Sequence, residues 1–147
     1  MNPEVIEKYI DDSVCVIALF GSRARGDNGR YSDTDIVRLT RVSDEPQRNP
    51  GISNVMIEGI LTSISTMKIS DVENWFVNPA LATEALQGLR DAQAMYDPEG
   101  VFSNLQKRAL SFQWDDELQK KANEYVGEQL VGWAEEAYKG MEGLLRN

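Results

Sequence analysis

Histidine is absent from this 147-residue chain, and cysteine occurs once, as Cys15. The lack of histidine excludes Ser-His-Asp and Cys-His catalysis, histidine-ligated zinc and the usual general base at neutral pH. Because Cys15 lies in an apolar run, it is predicted to be a buried free thiol in a protein of the reducing cytoplasm. Any chemistry must therefore rest on carboxylates, lysine, arginine, tyrosine, hydroxyl groups and metals held by oxygen.

Positive charge and long apolar runs are also scarce. The chain carries 15 Lys and Arg against 24 Asp and Glu, a formal net charge of -9, which argues against nucleic-acid binding through neutralised phosphates. No apolar run approaches the ~20 residues of a membrane span. The N-terminal sequence MNPEVIEKYIDD lacks the basic and apolar regions of a signal peptide. We therefore expect a cytoplasmic protein, with neither a membrane nor a nucleic acid as its partner.

The hydrophobic patterns predict an α/β (α+β) chain, in which a small mixed β-sheet has helices packed on it and a C-terminal helical segment follows. Strands are predicted at 14–20 (VCVIALF), at 34–42, at 53–66 as one strand that is either long or broken at Gly59, and at 92–96 (AQAMY). Helices are predicted at 3–11 with Asn2 as N-cap, at 22–25 with a stop near Gly26, from Ser70 to before Pro79, through 86–89, from Asp97 to about 112, and from 115 onward. We assign residues 1–112 to the sheet-bearing domain and 113–147 to the helical segment, which would suit the start of a longer helical domain.

Two aspartates follow a glycine-rich loop at the start of the second predicted strand. Because side chains alternate along a strand, Asp33 and Asp35 point to the same face, with Cβ atoms roughly 7 Å apart. Their proximity raises the pKa of one carboxyl unless a cation lies between them. Mg²⁺ is held by a few carboxylates together with substrate phosphates, and two such ions can act on a phosphoryl displacement. The pair therefore predicts a divalent metal site, with the cap of a turn as the structural alternative.

A third carboxylate from a neighbouring strand usually completes such a site, and Glu58 is the best candidate. It interrupts an otherwise apolar strand, where we expect it to share a face with Met56 and Ile60. The alternative is an edge-strand glutamate that faces water. Weaker candidates are the acids of loops and of a helix start, namely Asp44, Glu45 and Asp71.

Gly21 and Ser22 lie between the first predicted strand and a short helix. Backbone N–H groups at a helix start favour phosphate, glycine permits close approach, and the Ser22 hydroxyl adds a donor. A simple helix cap is the alternative. The pattern is neither a Walker A motif nor a G-x-G-x-x-G fingerprint. Together with the aspartates, it describes a site for a metal-bound triphosphate.

The stretch GSRARGDNGRYSDTD resembles the signature of the DNA polymerase beta-like nucleotidyltransferase superfamily, in which Gly-Ser is followed after about ten residues by Asp-x-Asp. Gly26 and Ser32 match its fuller form. The likeness is strongest to the minimal nucleotidyltransferases and to the aminoglycoside (kanamycin-type) nucleotidyltransferases. It covers residues 20–37, with support from the strand containing Glu58. Arg38 departs from the apolar strand of the family; it points away from the aspartate face and is interpreted as an edge or interface feature.

The resemblance implies transfer of a nucleoside monophosphate from a nucleoside triphosphate, with ATP favoured, and departure of pyrophosphate. Asp33, Asp35 and Glu58 would bind the metals, with two Mg²⁺ ions expected, and Gly21 and Ser22 would hold the β and γ phosphates. Arg23 and Arg25 lie near enough to touch phosphate, although exposed arginines are more often solvated.

Kanamycin-type enzymes use a further glutamate as base for the acceptor hydroxyl. Glu128 is our first candidate and Glu135 our second, with a solvated helix face as the alternative for both. Trp75, Phe76 and Trp133 are candidates to line an acceptor pocket, although aromatic residues at helical spacing more often lie in a core. An apolar stripe runs along the last helix through Leu118, Ala122, Val126, Leu130, Trp133, Ala137, Met141 and Leu144.

Three functions remain open. The first is a transferase that acts on a hydroxyl of a small molecule, for which the acidic charge suits a cationic acceptor such as an aminoglycoside antibiotic. The second is an antitoxin-type minimal nucleotidyltransferase that modifies or masks a protein partner, in keeping with the chain length. The third is a non-catalytic nucleotide-binding module. The stripe on the last helix would also suit a homodimer.

Overall fold

The computed structural model of the protein describes residues 3–41 and 51–145. The proposed cap Asn2 and the weaker candidates Asp44 and Glu45 lie outside these residues. Five strands and six helices follow one another in the described part of the chain. In order they are α1 Pro3–Glu7, β1 Val14–Phe20, α2 Gly21–Arg25, β2 Thr34–Thr40, β3 Gly51–Ile57, β4 Ile60–Lys68, α3 Ile69–Glu73, a 3₁₀ turn Asn74–Phe76, α4 Pro79–Asp91, β5 Gln93–Tyr96, α5 Val101–Ser111 and α6 Asp116–Leu145.

The five strands form one mixed sheet in the order β3-β4-β2-β1-β5. Strands β2 and β4 run parallel, and the pairs β1–β2, β1–β5 and β3–β4 run antiparallel. The aspartate-bearing strand β2 is therefore central and has a partner on each side. The mixed sheet, the helices on it and the C-terminal helix confirm the predicted α+β class.

The sheet has two different faces. We call the face that carries Asp35, Val37 and Leu39 of β2 the aspartate face. Its β1–β2 half packs against α3, α4 and α5 in a core that includes Val16 and Ala18. The other face packs against α1 through a smaller apolar cluster. On the aspartate face, the half formed by β3 and β4 stays open, because Ile52, Met56 and Leu61 are all at least half exposed.

The predicted break at Gly59 is confirmed, because 53–66 is a hairpin and not one long strand. Residues Glu58 and Gly59 form its two-residue turn, with φ of 50° and 78°. Two consecutive positive φ angles are the signature of the tight turn that suits the twist of a hairpin. The expectation that Glu58 shares a strand face with Met56 and Ile60 is therefore wrong, since Glu58 is an exposed turn residue.

Arg38 connects the central strand to α1. It is 5% exposed, and its guanidinium donates to the Tyr9 carbonyl oxygen at 2.7 Å and to Asp11 Oδ2 at 2.5 Å. Because β2 lies between β4 and β1, the interpretation of Arg38 as an edge or interface feature is wrong. The same contacts explain why α1 ends at Glu7 and not at residue 11, since Asp11 belongs to the turn that receives Arg38.

Two other helix starts differ from the prediction by a few residues. Helix α5 begins at Val101, because the Asp97 carboxylate accepts hydrogen bonds from the backbone N–H groups of Phe102 and Ser103 across an intervening turn. Helix α3 begins at Ile69, one residue before the predicted cap Ser70.

The last helix, α6, packs on the rest of the chain only near its start. Ala122 is buried, and the contacts of α6 are made mainly with α4. From Val126 to Met141 every side chain that the structure describes is exposed, including Leu130 and Trp133 of the predicted stripe. In the described part of the chain, no helix combines the length and the apolar character that crossing a membrane requires.

Candidate active site

The two aspartates lie at the start of the central strand on the aspartate face. Asp33 is exposed and immediately precedes β2, whereas Asp35 is half-buried as the second residue of that strand. Burial raises the pKa of the Asp35 carboxyl above its usual range, and the negative charge of Asp33 raises it further. The structure therefore shows the unfavourable pair of carboxylates that the sequence predicted.

The Gly21 backbone touches one of these carboxylates. Gly21 has φ of 70°, and a Cβ atom added there would lie 2.5 Å from Asp35 Oδ2. At this distance a side chain at position 21 would displace the Asp35 carboxylate, and the positive φ independently favours glycine. Helix α2 begins at this residue, with Ser22 half-buried beside it. The two halves of the motif, separated by twelve residues, are thus in direct contact.

Arg23 ties α2 to the loop that carries the aspartates. Its Nε donates to the Asp33 carbonyl oxygen at 2.8 Å, and its Nη2 donates to the Ser32 carbonyl oxygen at 2.7 Å. Arg25 instead pairs with Asp27 in an exposed contact at 3.1 Å. The structure thus places Arg23 beside the aspartates through backbone contacts, and it places Arg25 in an exposed pair outside both cavities that flank the site.

A cavity of about 390 Å³ opens beside Asp33. It is lined by Arg23, Arg30, Tyr31, Ser32, Asp33, Gly59, Ile60 and Leu61. The Arg30 guanidinium lies 5.4 Å from the centre of the Tyr31 ring, and that ring is almost fully exposed. Sequence reasoning assigned no role to Arg30 or Tyr31, because arginine and tyrosine in a polar loop are ordinary surface residues. Their position directly before Asp33 was the available signal.

Glu58 lies in the turn between β3 and β4 and does not line the cavity beside Asp33. It lines a second cavity, of about 230 Å³, together with Thr34 and Ile57. Thr34 alternates with Asp33 and Asp35 along β2, so it faces away from them. Among the described residues, no group of three or more carboxylate or cysteine side chains is placed to hold a metal ion. The expected three-carboxylate cluster is therefore not formed, because the hairpin turn moves Glu58 off the strand face.

The other sequence candidates lie apart from the aspartates. The Asp71 carboxylate accepts from the Lys68 backbone N–H at 3.1 Å and so caps α3. Glu128 and Glu135 are exposed on the part of α6 that projects beyond its contact with α4. The three aromatic candidates do not converge: Trp75 and Phe76 pack against the main core, and Trp133 is exposed on α6.

Comparisons with known proteins agree with this fold. The fold resembles the crystal structure of a nucleotidyltransferase-like protein from Exiguobacterium sibiricum, with a TM-score of 0.57 and 13% sequence identity. The match covers 75% of this chain and 37% of that one, so this chain spans little more than a third of the neighbour's length. A comparison with curated proteins found no match. The family model described as nucleotidyltransferase domain matches residues 4–82, more than half of the chain. The chain belongs to this nucleotidyltransferase domain family, within the polymerase beta-like superfamily.

Proposed function

We propose that the protein is a metal-dependent nucleotidyltransferase that moves a nucleoside monophosphate from a nucleoside triphosphate, with ATP favoured, to a hydroxyl group. The main observation in support of this proposal is the contact between the Gly21 backbone and the Asp35 carboxylate. It joins the turn suited to phosphates and the carboxylates suited to metal in a single site. Family membership supports nucleotidyl transfer as the general activity.

The side chains present fit a divalent cation. Asp35 is half-buried next to a second carboxylate, and its pKa is raised first by burial and then by the negative charge of Asp33. A cation such as Mg²⁺ offsets this repulsion, and one or two carboxylates plus substrate phosphates are its usual ligands. Asp33 and Asp35 would hold it, and a second ion would take most of its ligands from the phosphates. When bound, the metal neutralises charge on the phosphates and the leaving pyrophosphate.

The chain's own residues would orient the triphosphate for displacement at the α-phosphorus. The N–H groups of Gly21 and Ser22 would bind the β and γ phosphates. Arg23 fixes the loop that carries the aspartates through its two hydrogen bonds to backbone carbonyl groups. The acceptor oxygen forms a bond to the α-phosphorus, and the bond from that phosphorus to the bridging oxygen breaks. Pyrophosphate leaves with the bonding electrons, and the hydroxyl proton passes to solvent or to a base. Glu128 remains our candidate base only if another segment or copy brings it to the site.

For the acceptor we propose a small molecule that bears hydroxyl groups. The open half of the aspartate face lies directly beside Asp35 and offers an uncharged surface on β3 and β4. The net charge of -9 favours a cationic acceptor such as an aminoglycoside. Against this, two arginines, Arg23 and Arg30, line the cavity next to Asp33. Assays should therefore include both cationic and neutral acceptors.

A protein acceptor is the second candidate, and the apolar stripe on α6 favours it. Val126, Leu130 and Trp133 are exposed at helical spacing, as on a helix that packs against another chain. The same surface would serve a homodimer. In either case α6 would contribute binding, and the residues of the aspartate face would still carry the chemistry.

The test is transfer from α-labelled ATP with Mg²⁺ to a panel of hydroxyl-bearing small molecules and to co-purified proteins. We expect labelled product and pyrophosphate from the wild type, and a loss of roughly a hundredfold or more in Asp35→Asn, because the residue acts on the transition state. Asp71→Asn, which alters only the cap of α3, is the matched control and should keep full activity.

Thermal unfolding separates loss of function from loss of fold. Asp35→Asn removes a charge that is partly buried and repelled by Asp33, so its unfolding temperature without metal should equal or exceed that of the wild type. Mg²⁺ with ATP should raise the unfolding temperature of the wild type only. Full transfer activity in Asp35→Asn contradicts the proposal, and triphosphate binding without transfer to any acceptor would favour a non-catalytic module.

A further inference from the structure

The strand next to Asp35 carries a hydroxyl where the site would take a third carboxylate. Strands β2 and β4 are parallel, and their register pairs Asp35 with Ser63. Paired residues of neighbouring strands point to the same face of a sheet. Ser63 is half-buried, and in the next strand it pairs with Asn54. Across the neighbouring strands β2, β4 and β3, one row of side chains on the aspartate face therefore consists of Asp35, Ser63 and Asn54. Only Asp35 in this row carries a negative charge.

The neighbouring row, beside Asp33, has no acidic residue on β4 either. Asp33 immediately precedes Thr34, which pairs with Thr62, so Leu61 is the β4 residue that lies alongside Asp33. Leu61 also shares the cavity beside Asp33. Both β4 positions next to the aspartates are thus uncharged, and within the described ranges no third acidic or cysteine side chain joins the pair.

We infer that the metal site of this chain has two carboxylates and the neutral oxygen of Ser63 as its third protein donor, and that it binds a divalent cation firmly only together with the triphosphate. The inference rests on the proposed function. Its physical reason is the charge count, because ligand charge sets the affinity of an oxygen site for such a cation. Because the protein supplies only two carboxylates, the phosphates must supply the remaining negative charge. The metal and the nucleotide therefore bind together.

The rival arrangement is that Glu58 swings from its turn to complete a three-carboxylate site. The two arrangements predict opposite effects of the same substitutions on metal binding. If Ser63 occupies the third position, an acid placed there strengthens metal binding and Glu58 is dispensable. If Glu58 is the third ligand, its removal weakens metal binding and an acid at position 63 brings no gain.

The experiment measures Mn²⁺ binding by electron paramagnetic resonance in the full chain, with and without a non-hydrolysable ATP analogue. Without nucleotide, Ser63→Asp should bind Mn²⁺ roughly tenfold or more tightly than the wild type, because it adds a third charged ligand. Ser65→Asp is the matched control. It lies on the same strand and face but pairs with Val37, one row away from Asp35, and its Mn²⁺ affinity should equal that of the wild type.

Two further variants keep the result decisive. Glu58→Gln should leave Mn²⁺ affinity unchanged, and this conservative change of an exposed turn residue does not depend on Ser63→Asp folding. A several-fold loss in Glu58→Gln, or no gain in a folded Ser63→Asp, overturns the inference. Asp35→Asn tests the underlying proposal separately, because unchanged Mn²⁺ binding in its complex with nucleotide would overturn the proposed function itself.

Discussion

At the scale of single residues, Gly21 matters both to the fold and to the site, because it lacks a Cβ atom. Its φ of 70° costs an L-residue about 1 kcal/mol, and a Cβ atom added there would lie 2.5 Å from Asp35 Oδ2. Gly26 has a similar φ of 79° but has no atom within 4 Å of an added Cβ. The two glycines therefore separate the cost of backbone conformation from the cost of displacing Asp35.

We predict that Gly21→Ala lowers the free energy of unfolding by about 2–3 kcal/mol, and that Gly26→Ala lowers it by about 1 kcal/mol. The difference reflects movement of the Asp35 carboxylate, so Gly21→Ala should also lose binding of Mn²⁺ with nucleotide, and Gly26→Ala should keep it. Urea unfolding and a Mn²⁺ titration measure the two effects. Equal losses in both variants would show that the contact with Asp35 has no energetic consequence.

At the scale of elements, the sequence predicted those features that local patterns determine. Strand β1 was predicted at its observed bounds because VCVIALF is a continuous apolar run. The Asp-x-Asp pair shares a face because alternation along a strand needs no knowledge of the partner strands. The register between β2 and β4 depends on long-range pairing, so Ser63 gave no local signal.

The position of Glu58 was mispredicted for a different reason. Hairpin turns with two positive φ angles usually have the sequence Asn-Gly or Asp-Gly. Here the first of the two residues is Glu58, so the apolar residues on either side resembled one strand with a buried acid. Arg38 was misread likewise, because a charge within a strand suggests an edge until α1 and Asp11 are seen to cover it.

The link between α1 and β2 predicts a dependence of stability on pH. The Ser13 hydroxyl donates to Asp11 at 2.5 Å and is the largest cause of the lowered pKa of that carboxyl, with a smaller contribution from Arg38. Asp11 thus binds its proton less tightly in the folded chain than in the unfolded one. Its contribution to stability is present above the ordinary pKa of 3.8 and is lost as the pH falls through the lowered folded value.

We therefore predict that Ser13→Ala lowers the free energy of unfolding by about 1 kcal/mol at pH 7, and that the difference from the wild type shrinks as the pH falls below 4. Urea unfolding at a series of pH values measures this. In an Asp11→Asn background the same substitution should show no such pH dependence. A difference that stays constant from pH 7 to pH 3 would mean that Ser13 does not act through the charge of Asp11.

At the scale of the whole molecule, α6 divides into a packed start and a projecting remainder. Ala122 is buried against the rest of the chain, and α6 makes its contacts mainly with α4. Beyond Tyr125, the described side chains are exposed through Met141. Folding of the sheet-bearing part should therefore depend on the first ten residues of α6 and not on the remainder.

A chain that ends at Tyr125 should accordingly unfold at nearly the same temperature and urea concentration as the full chain. A chain that ends at Trp114 removes the contact of α6 with α4, including the buried Ala122 and the half-buried Leu118. It should lose about 2 kcal/mol or more, a loss comparable to the burial of one large apolar side chain. Calorimetry at two protein concentrations, with sedimentation to give the mass, is the measurement. If the chain ending at Tyr125 loses stability in a concentration-dependent manner, and the full chain sediments as a dimer, a second copy covers Leu130 and Trp133, and α6 is an interface between copies of this chain.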